Sequence, residues 1–149
     1  MQVTLRPLGP AEREKVLQLQ VRRSQQGFVA TNADSIDEAE DGDHCVPLAI
    51  YDADVAVGFA MYALDPDDGN YWIYRLMVDQ RYQRLGYGRK ALDELLKLMS
   101  RLPGCSQVTL SVAPGNDVAM ELYRQMGFRE SGEIIGGEIV FRRSMHDIE

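Results

Sequence analysis

From Val55 to Leu64 the chain is apolar at nearly every position: Val55, Val57, Phe59 and Met61 on one side of an extended strand, Ala56, Ala60, Tyr62 and Leu64 on the other. A strand that is apolar on both faces is covered on both, which predicts a central place in a sheet. Val46 to Tyr51 precedes it as a second strand across the turn Asp52-Ala53-Asp54, and the turn-rich Asp65–Asn70 leads into an aromatic strand from Tyr71 to Val78. The period then changes. Ala91, Leu92, Leu95, Leu96 and Met99 fall on one face of a helix predicted from Tyr87 to Arg101 and ended by Pro103-Gly104. Gln107 to Val112 alternates again as a strand. Asn116 is placed to cap a helix whose stripe is Val118, Ala119, Leu122, Tyr123 and Met126, with Gly127 at its C′ position.

At the start, Val3–Leu8 reads as a strand and Pro10 opens a helix running through Val21. Ser35-Ile36-Asp37-Glu38 has capping-box spacing and predicts the start of a short second helix. Phe128–Glu133 and Glu138–Met145 close the chain as strands around Gly136-Gly137. The order β-α-α-β-β-β-α-β-α-β-β predicts antiparallel pairing early and one parallel step late. The fold class is therefore mixed α/β, a mostly antiparallel sheet flanked by about four helices. No repeat or linker divides residues 1–149, so one domain is expected.

Composition refines this picture. With 45% hydrophobic and 26% charged residues the chain is globular. No apolar run is long enough to span a bilayer, and Met1–Arg6 lacks the apolar core of a signal peptide, so a cytoplasmic protein without membrane attachment is expected. Cys45 and Cys105 have neither disulfide-framework nor zinc-ligand spacing, and no metal is expected. A net charge of −7 argues against a nucleic-acid partner and favours cationic ones.

The densest chemistry lies in Gln83-Arg84-Leu85-Gly86-Tyr87-Gly88-Arg89-Lys90, between a strand and an amphipathic helix. Glycines there let backbone amides approach a ligand, and the helix start favours an anion. A Walker A loop needs Ser or Thr after its lysine, and Ala91 follows Lys90. Gly86-Tyr87-Gly88-Arg89-Lys90-Ala91 fits the dinucleotide fingerprint, but the next strand ends Ser111-Val112-Ala113-Pro114 without the acid that fingerprint requires. The third option is Gln/Arg-x-x-Gly-x-Gly/Ala, which Gln83, Gly86 and Gly88 satisfy. Asn116-x-x-Ala119-x-x-Leu122-Tyr123-x-x-x-Gly127-Phe128 follows it after one βα step.

Together these motifs resemble the GNAT superfamily of N-acetyltransferases over nearly the whole chain. The resemblance implies a sheet splayed between its fourth and fifth strands and an acetyl-CoA co-substrate whose pantetheine arm pairs with backbone near Met77 and Val78. It implies that the Arg84–Arg89 loop, with Leu85 and Tyr87 within it, cradles the pyrophosphate. It implies that Asn116 contacts the arm and that the Tyr123 hydroxyl points at the sulfur. A tyrosine there can return a proton to, or hydrogen-bond, a departing thiolate. Many members carry a glutamate base on the fourth strand; the matching position here is Tyr74. Three options stay open: Tyr74 relaying to water, an acid from the 34–43 segment, or no dedicated base.

The segment Asp34, Asp37, Glu38, Glu40, Asp41, Asp43 has no interleaved basic residue and reads either as a solvated helix face or as an anionic lip for a polycation. His44 beside it is expected at the surface. Gln26–Val29 with Phe28, Val46–Tyr51 and Val57–Tyr62 resemble the bacterial diamine, or spermine/spermidine, acetyltransferase branch. That resemblance implies a polyamine acceptor, with Trp72 and Tyr74 stacking on alkylammonium groups, and a homodimer. Competing readings are another amine acceptor (an aminoglycoside, an amino acid or a protein N-terminus) and a CoA-binding module without turnover.

Overall fold

The computed structural model describes residues 1–42 and 44–148; Asp43, within the acidic segment, lies outside the described residues. In chain order the elements are β1 (Val3–Pro7), α1 (Pro10–Leu17), α2 (Asn32–Asp41), β2 (Cys45–Asp52), β3 (Val55–Leu64), β4 (Tyr71–Val78), α3 (Tyr87–Ser100), β5 (Gln107–Val112), α4 (Asp117–Gln125), β6 (Arg129–Ile135) and β7 (Glu138–Ser144). Short 3-10 turns cover Arg23–Gln25 and Gln80–Tyr82. This is the order read from the sequence. Among the described residues the strands form one sheet in the order β1-β2-β3-β4-β5-β7-β6, antiparallel throughout except for the β4–β5 pair.

β3 is central, as its two apolar faces require. Val57 and Ala60 belong to the core beneath α3 and α4, with Leu92, Leu95, Phe128 and Phe141. Phe59 and Met61 belong to the core beneath α1 and α2, with Val16, Ile36 and Tyr51. β2 divides in the same way, with Leu48 and Ile50 on one side and Ala49 and Tyr51 on the other. Each large side chain fully buried this way contributes about 1.5–3 kcal/mol relative to exposure, so both faces of the sheet retain their helices.

Three local expectations are corrected. α1 stops at Leu17 rather than continuing through Val21. The buried Asn32 amide donates to the carbonyls of Val16 and Leu19, and the buried Asp79 carboxylate accepts from the Gln20 amide, so tertiary partners draw the chain out of the helix. α2 begins at Asn32 with Thr31 as its cap: Thr31 Oγ1 accepts from the Asp34 amide at 3.1 Å. Ser35, expected to be the cap, is instead buried inside the helix and donates its hydroxyl to the Thr31 carbonyl. Phe128 precedes β6, because its amide closes on the Tyr123 carbonyl at 2.9 Å across the left-handed Gly127. No helix among the described residues is long and apolar enough to cross a membrane.

Candidate active site

β4 and β5 are paired only at their beginnings, Tyr71 with Val108 and Trp72 with Thr109. Beyond that point they part. The cause is local to β4: opposite β3 the register runs from Met61↔Arg75 to Tyr62↔Ile73, so Tyr74 is an extra, bulged residue. A bulge bends its strand and increases its twist, which takes the rest of β4 away from β5.

The gap is occupied by two adjoining chambers that share Phe28, Leu76, Met77, Asn116, Ala119 and Tyr123 as walls. The first runs past Val78 and Gln83 to Arg84 and Gly88; the second opens on Tyr74, Arg75, Ser111 and Glu138. Phe28 comes from the α1–α2 connection and lies across the gap against Gly115, where an added Cβ would sit 3.8 Å from the ring.

The loop at the end of the first chamber has the shape of an anion cradle. Arg84 and Gly86 both have left-handed backbone, φ 64° and φ 92°. The amides of Tyr87, Gly88 and Arg89 open α3 and have no intrahelical acceptor. Space around Gly86 is open, and a Cβ on Gly88 would meet only Leu122 and Val78 side chains, at 3.6 and 3.9 Å. These features fit a pyrophosphate.

The expected cofactor residues divide by position. Gln83 donates its side-chain amide to Gln25 and to the Val78 carbonyl, fixing the loop against β4. Tyr87 turns away from the cleft and hydrogen-bonds Asp52, raising the phenol's pKa and lowering the carboxylate's. Leu85 is exposed, and the Arg89 guanidinium donates to Gln125. These last three side chains are not among the chamber walls, which leaves main-chain amides as their contribution. Asn116 borders both chambers, though its side chain does not cap α4 as expected.

Tyr123 is the buried residue at the junction. Burial pushes its phenol up to about 12. Among the described residues the only buried side-chain polar atom without a partner is Thr109 Oγ1. The Tyr123 hydroxyl, which has no hydrogen-bond partner there either, therefore meets the cleft.

Tyr74 stands on the second chamber's wall, with its hydroxyl donating to Asp65 at 2.5 Å. Burial and that bond raise its pKa well above the ordinary range, so it is a hydrogen-bonded phenol and not a proton acceptor at neutral pH. Beside it, Arg75 donates to Ser35 at 2.9 Å, to the Tyr74 carbonyl at 2.8 Å and to Glu38 at 2.6 Å. The acidic segment is thus partly neutralised in space by residues distant in sequence: Glu38 by Arg75, and Glu40 by Arg13 at 2.8 Å. Asp34, Asp37 and Asp41 have no ion pair among the described residues. His44 is exposed, with its ring edge-on to Tyr74.

Trp72 is placed differently from its expected role. It is buried, its indole donates to Asp68 at 2.9 Å, and it borders neither chamber. Lying before the bulge, it belongs to the paired part of β4. Conversely, Arg75, Ser111 and Glu138 line the second chamber without having been singled out in the sequence. No motif marks them; only the strand registers bring them together. Among the described residues no group of three or more His, Cys, Asp or Glu is arranged to hold a metal ion.

Residues 13–128 match the Acetyltransferase (GNAT) family, and the chain belongs to it. The chain is 29% identical over 152 residues to the spermine/spermidine N(1)-acetyltransferase of Bacillus subtilis strain 168, covering 97% of this chain and all of that protein. The PaiA N-acetyltransferase of Thermoplasma acidophilum, solved in complex with coenzyme A, has the same fold, with a TM-score of 0.73 at 16% identity over 97% of this chain and 99% of that one. Spermidine N-acetyltransferase of Vibrio cholerae, solved with CoA and spermine, matches with a TM-score of 0.73 at 18% identity over 95% and 93% of the two chains.

Proposed function

We propose that residues 1–149 act as one catalytic unit that transfers the acetyl group of acetyl-CoA to a primary amine of a polyamine, both substrates being bound together. The observation that carries this reading is the β4–β5 gap, with an anion cradle at one end, a polar chamber at the other and the Tyr123 hydroxyl between them. The likeness to the Bacillus subtilis enzyme over the full length of both chains supports the choice of acceptor. Acetyl-CoA supplies an activated thioester. The chain's own residues do the rest: the Arg84–Arg89 amides hold the pyrophosphate, the β4 edge at Met77 and Val78 orients the arm, and Phe28 covers the junction. Tyr123 presents its proton where the sulfur departs; the attacking nitrogen, which must be neutral, gives up its protons to water, from which Tyr123 is reprotonated. Tyr74 offers phenolic oxygen lone pairs to an acceptor N–H, with the Asp65 carboxylate behind it.

Gly88→Leu is expected to raise the acetyl-CoA dissociation constant by about 10-fold or more, since its side chain would enter the first chamber. Gly88→Ala, which has room and lies in a helix, should keep affinity and gain a little stability. Calorimetry and a thermal melt read both; unchanged affinity for Gly88→Leu removes the loop from cofactor binding.

The acidic segment tests the acceptor. Asp37 and Asp41 lie one turn apart on α2, on the stretch that carries Glu38, and Glu38 meets the chamber through Arg75. Asp37→Asn/Asp41→Asn is expected to raise KM for spermine by about 3- to 10-fold at low salt, with the gap closing as salt rises because exposed charges beyond about 8 Å are screened at physiological ionic strength. Turnover and acetyl-CoA affinity should stay level. Parallel salt curves for the two proteins would make the segment a solvated face.

A further inference from the structure

We infer that Glu138, held by Ser111 on the floor of the acceptor chamber, is the residue that binds the ammonium group of the incoming amine; this deepens, and rests on, the proposed amine acetylation. Glu138 is the first residue of β7, and the registers explain where it points. Ser111 of β5 pairs with Val140 of β7, and Val112 with Ile139. Two residues along a strand return to the same face, so Glu138 shares the face of Val140 and lies diagonally across from Ser111. The Ser111 hydroxyl closes that diagonal, donating to Glu138 Oε1 at 2.7 Å.

The neighbouring positions on β5, Leu110 and Val112, point the other way into the core under α3 and α4. α1 and α2 pack on the opposite side of the sheet, against the core built from β2 and β3. They leave Ser111 and Glu138 half-buried and facing the chamber, not covered by a helix.

The charges around this floor select the ligand. Two charged side chains line the chamber among the described residues, Arg75 and Glu138. Each of the three guanidinium nitrogens of Arg75 already donates once, to Ser35, Tyr74 or Glu38. Its ion pair is with Glu38, and among the described residues it makes none with Glu138. Glu138 has one oxygen fixed by Ser111 and the other without a partner among the described residues. A half-buried carboxylate with a free oxygen is a receptor for a cationic donor, and a primary ammonium has three N–H groups to give. The Tyr74 phenol, which lines the same chamber, has oxygen lone pairs to accept a second of these, and Tyr123 borders it too. A neutral or acidic acceptor finds no such pairing here.

The test compares wild type with Glu138→Gln and Glu138→Asp. Initial rates of thiol release are measured against spermidine at saturating acetyl-CoA, with calorimetry for acetyl-CoA and a thermal melt alongside. Glu138→Gln keeps the shape and the Ser111 bond while removing the charge. It is expected to raise KM for spermidine by about 10- to 100-fold, the weight of a hydrogen bond to a charged group, with kcat within about threefold of wild type. Acetyl-CoA affinity and the melting point should not move. Glu138→Asp should recover part of the loss, which a purely structural clamp would not show in KM alone. An unchanged KM in Glu138→Gln, with wild type active, overturns the inference. Wild type that ignores spermidine but acetylates another amine overturns the polyamine reading instead, and the same KM comparison on that amine then decides Glu138.

Discussion

Gly58→Ala is expected to destabilise the fold by about 3 kcal/mol, the upper end of the overpacking range, and to lower Tm by roughly 6–12 °C for a chain of this size. Gly58 sits on β3 opposite Val78 of β4. A Cβ there would fall on the Met77 carbonyl oxygen, inside van der Waals contact, and would also meet Ile50 Cδ1 at 3.1 Å and the Val78 Cα at 3.3 Å. Two of the three obstacles are backbone, and the third is a buried isoleucine, so nothing nearby yields by a simple rotamer change. The end of β4 must move instead. Because Met77 and Val78 also line the first chamber, acetyl-CoA affinity should fall together with stability. A melt and a calorimetric titration on the same preparation check both; a Tm within a degree of wild type would mean that β3 and β4 approach less closely than described.

Tyr123→Phe carries the largest expected effect on activity. Its hydroxyl has no protein partner among the described residues and meets the cleft at the junction of the two chambers. Its ring packs against Phe128 and Phe141, at centroid distances of 5.8 and 6.5 Å, and phenylalanine preserves that packing. Stability and acetyl-CoA affinity should therefore be retained while kcat falls about 10- to 1,000-fold, the span of general acid catalysis and somewhat below it. With the phenol pushed up to about 12 by burial, Tyr123 stays protonated over roughly pH 6–10. The loss should accordingly be the same across that window. Wild-type kcat in Tyr123→Phe, with chemistry rate-limiting, would exclude the hydroxyl from the reaction.

The elements legible in the sequence are those fixed by local pattern. β3 announced its central place through apolar residues on both faces, and α3 through its stripe from Ala91 to Met99. The glycine loop is legible as a motif with a mechanical reason, whereas Tyr123 is singled out only through the family resemblance, since by pattern alone it falls on the apolar stripe of its helix. What escaped depends on partners far along the chain. Tyr74 stands at the position where a base is usual, but whether it can serve depends on its burial and on Asp65, which together keep it a phenol. The acidic segment looked uncompensated because Arg13 and Arg75 reach it only through the packing of α1 and β4. Trp72 looked like an acceptor contact because position along β4 does not reveal where the strand leaves β5. Glu138 carried no motif at all; only the diagonal to Ser111 brings it to the chamber. Gly58 sat inside a hydrophobic run where nothing local signals the close approach of Met77.

The most direct test of amine acetylation is an acceptor panel read by thiol release from acetyl-CoA, with spermine, spermidine, a short diamine, a simple alkyl monoamine, an aminoglycoside and an amino acid at equal concentration and low salt. The account predicts thiol release with spermine and spermidine at a kcat/KM about tenfold or more above that of the monoamine, a difference of about 1.4 kcal/mol from the additional charge. Thiol release that is absent with every polyamine, or no faster than with the monoamine, would contradict it.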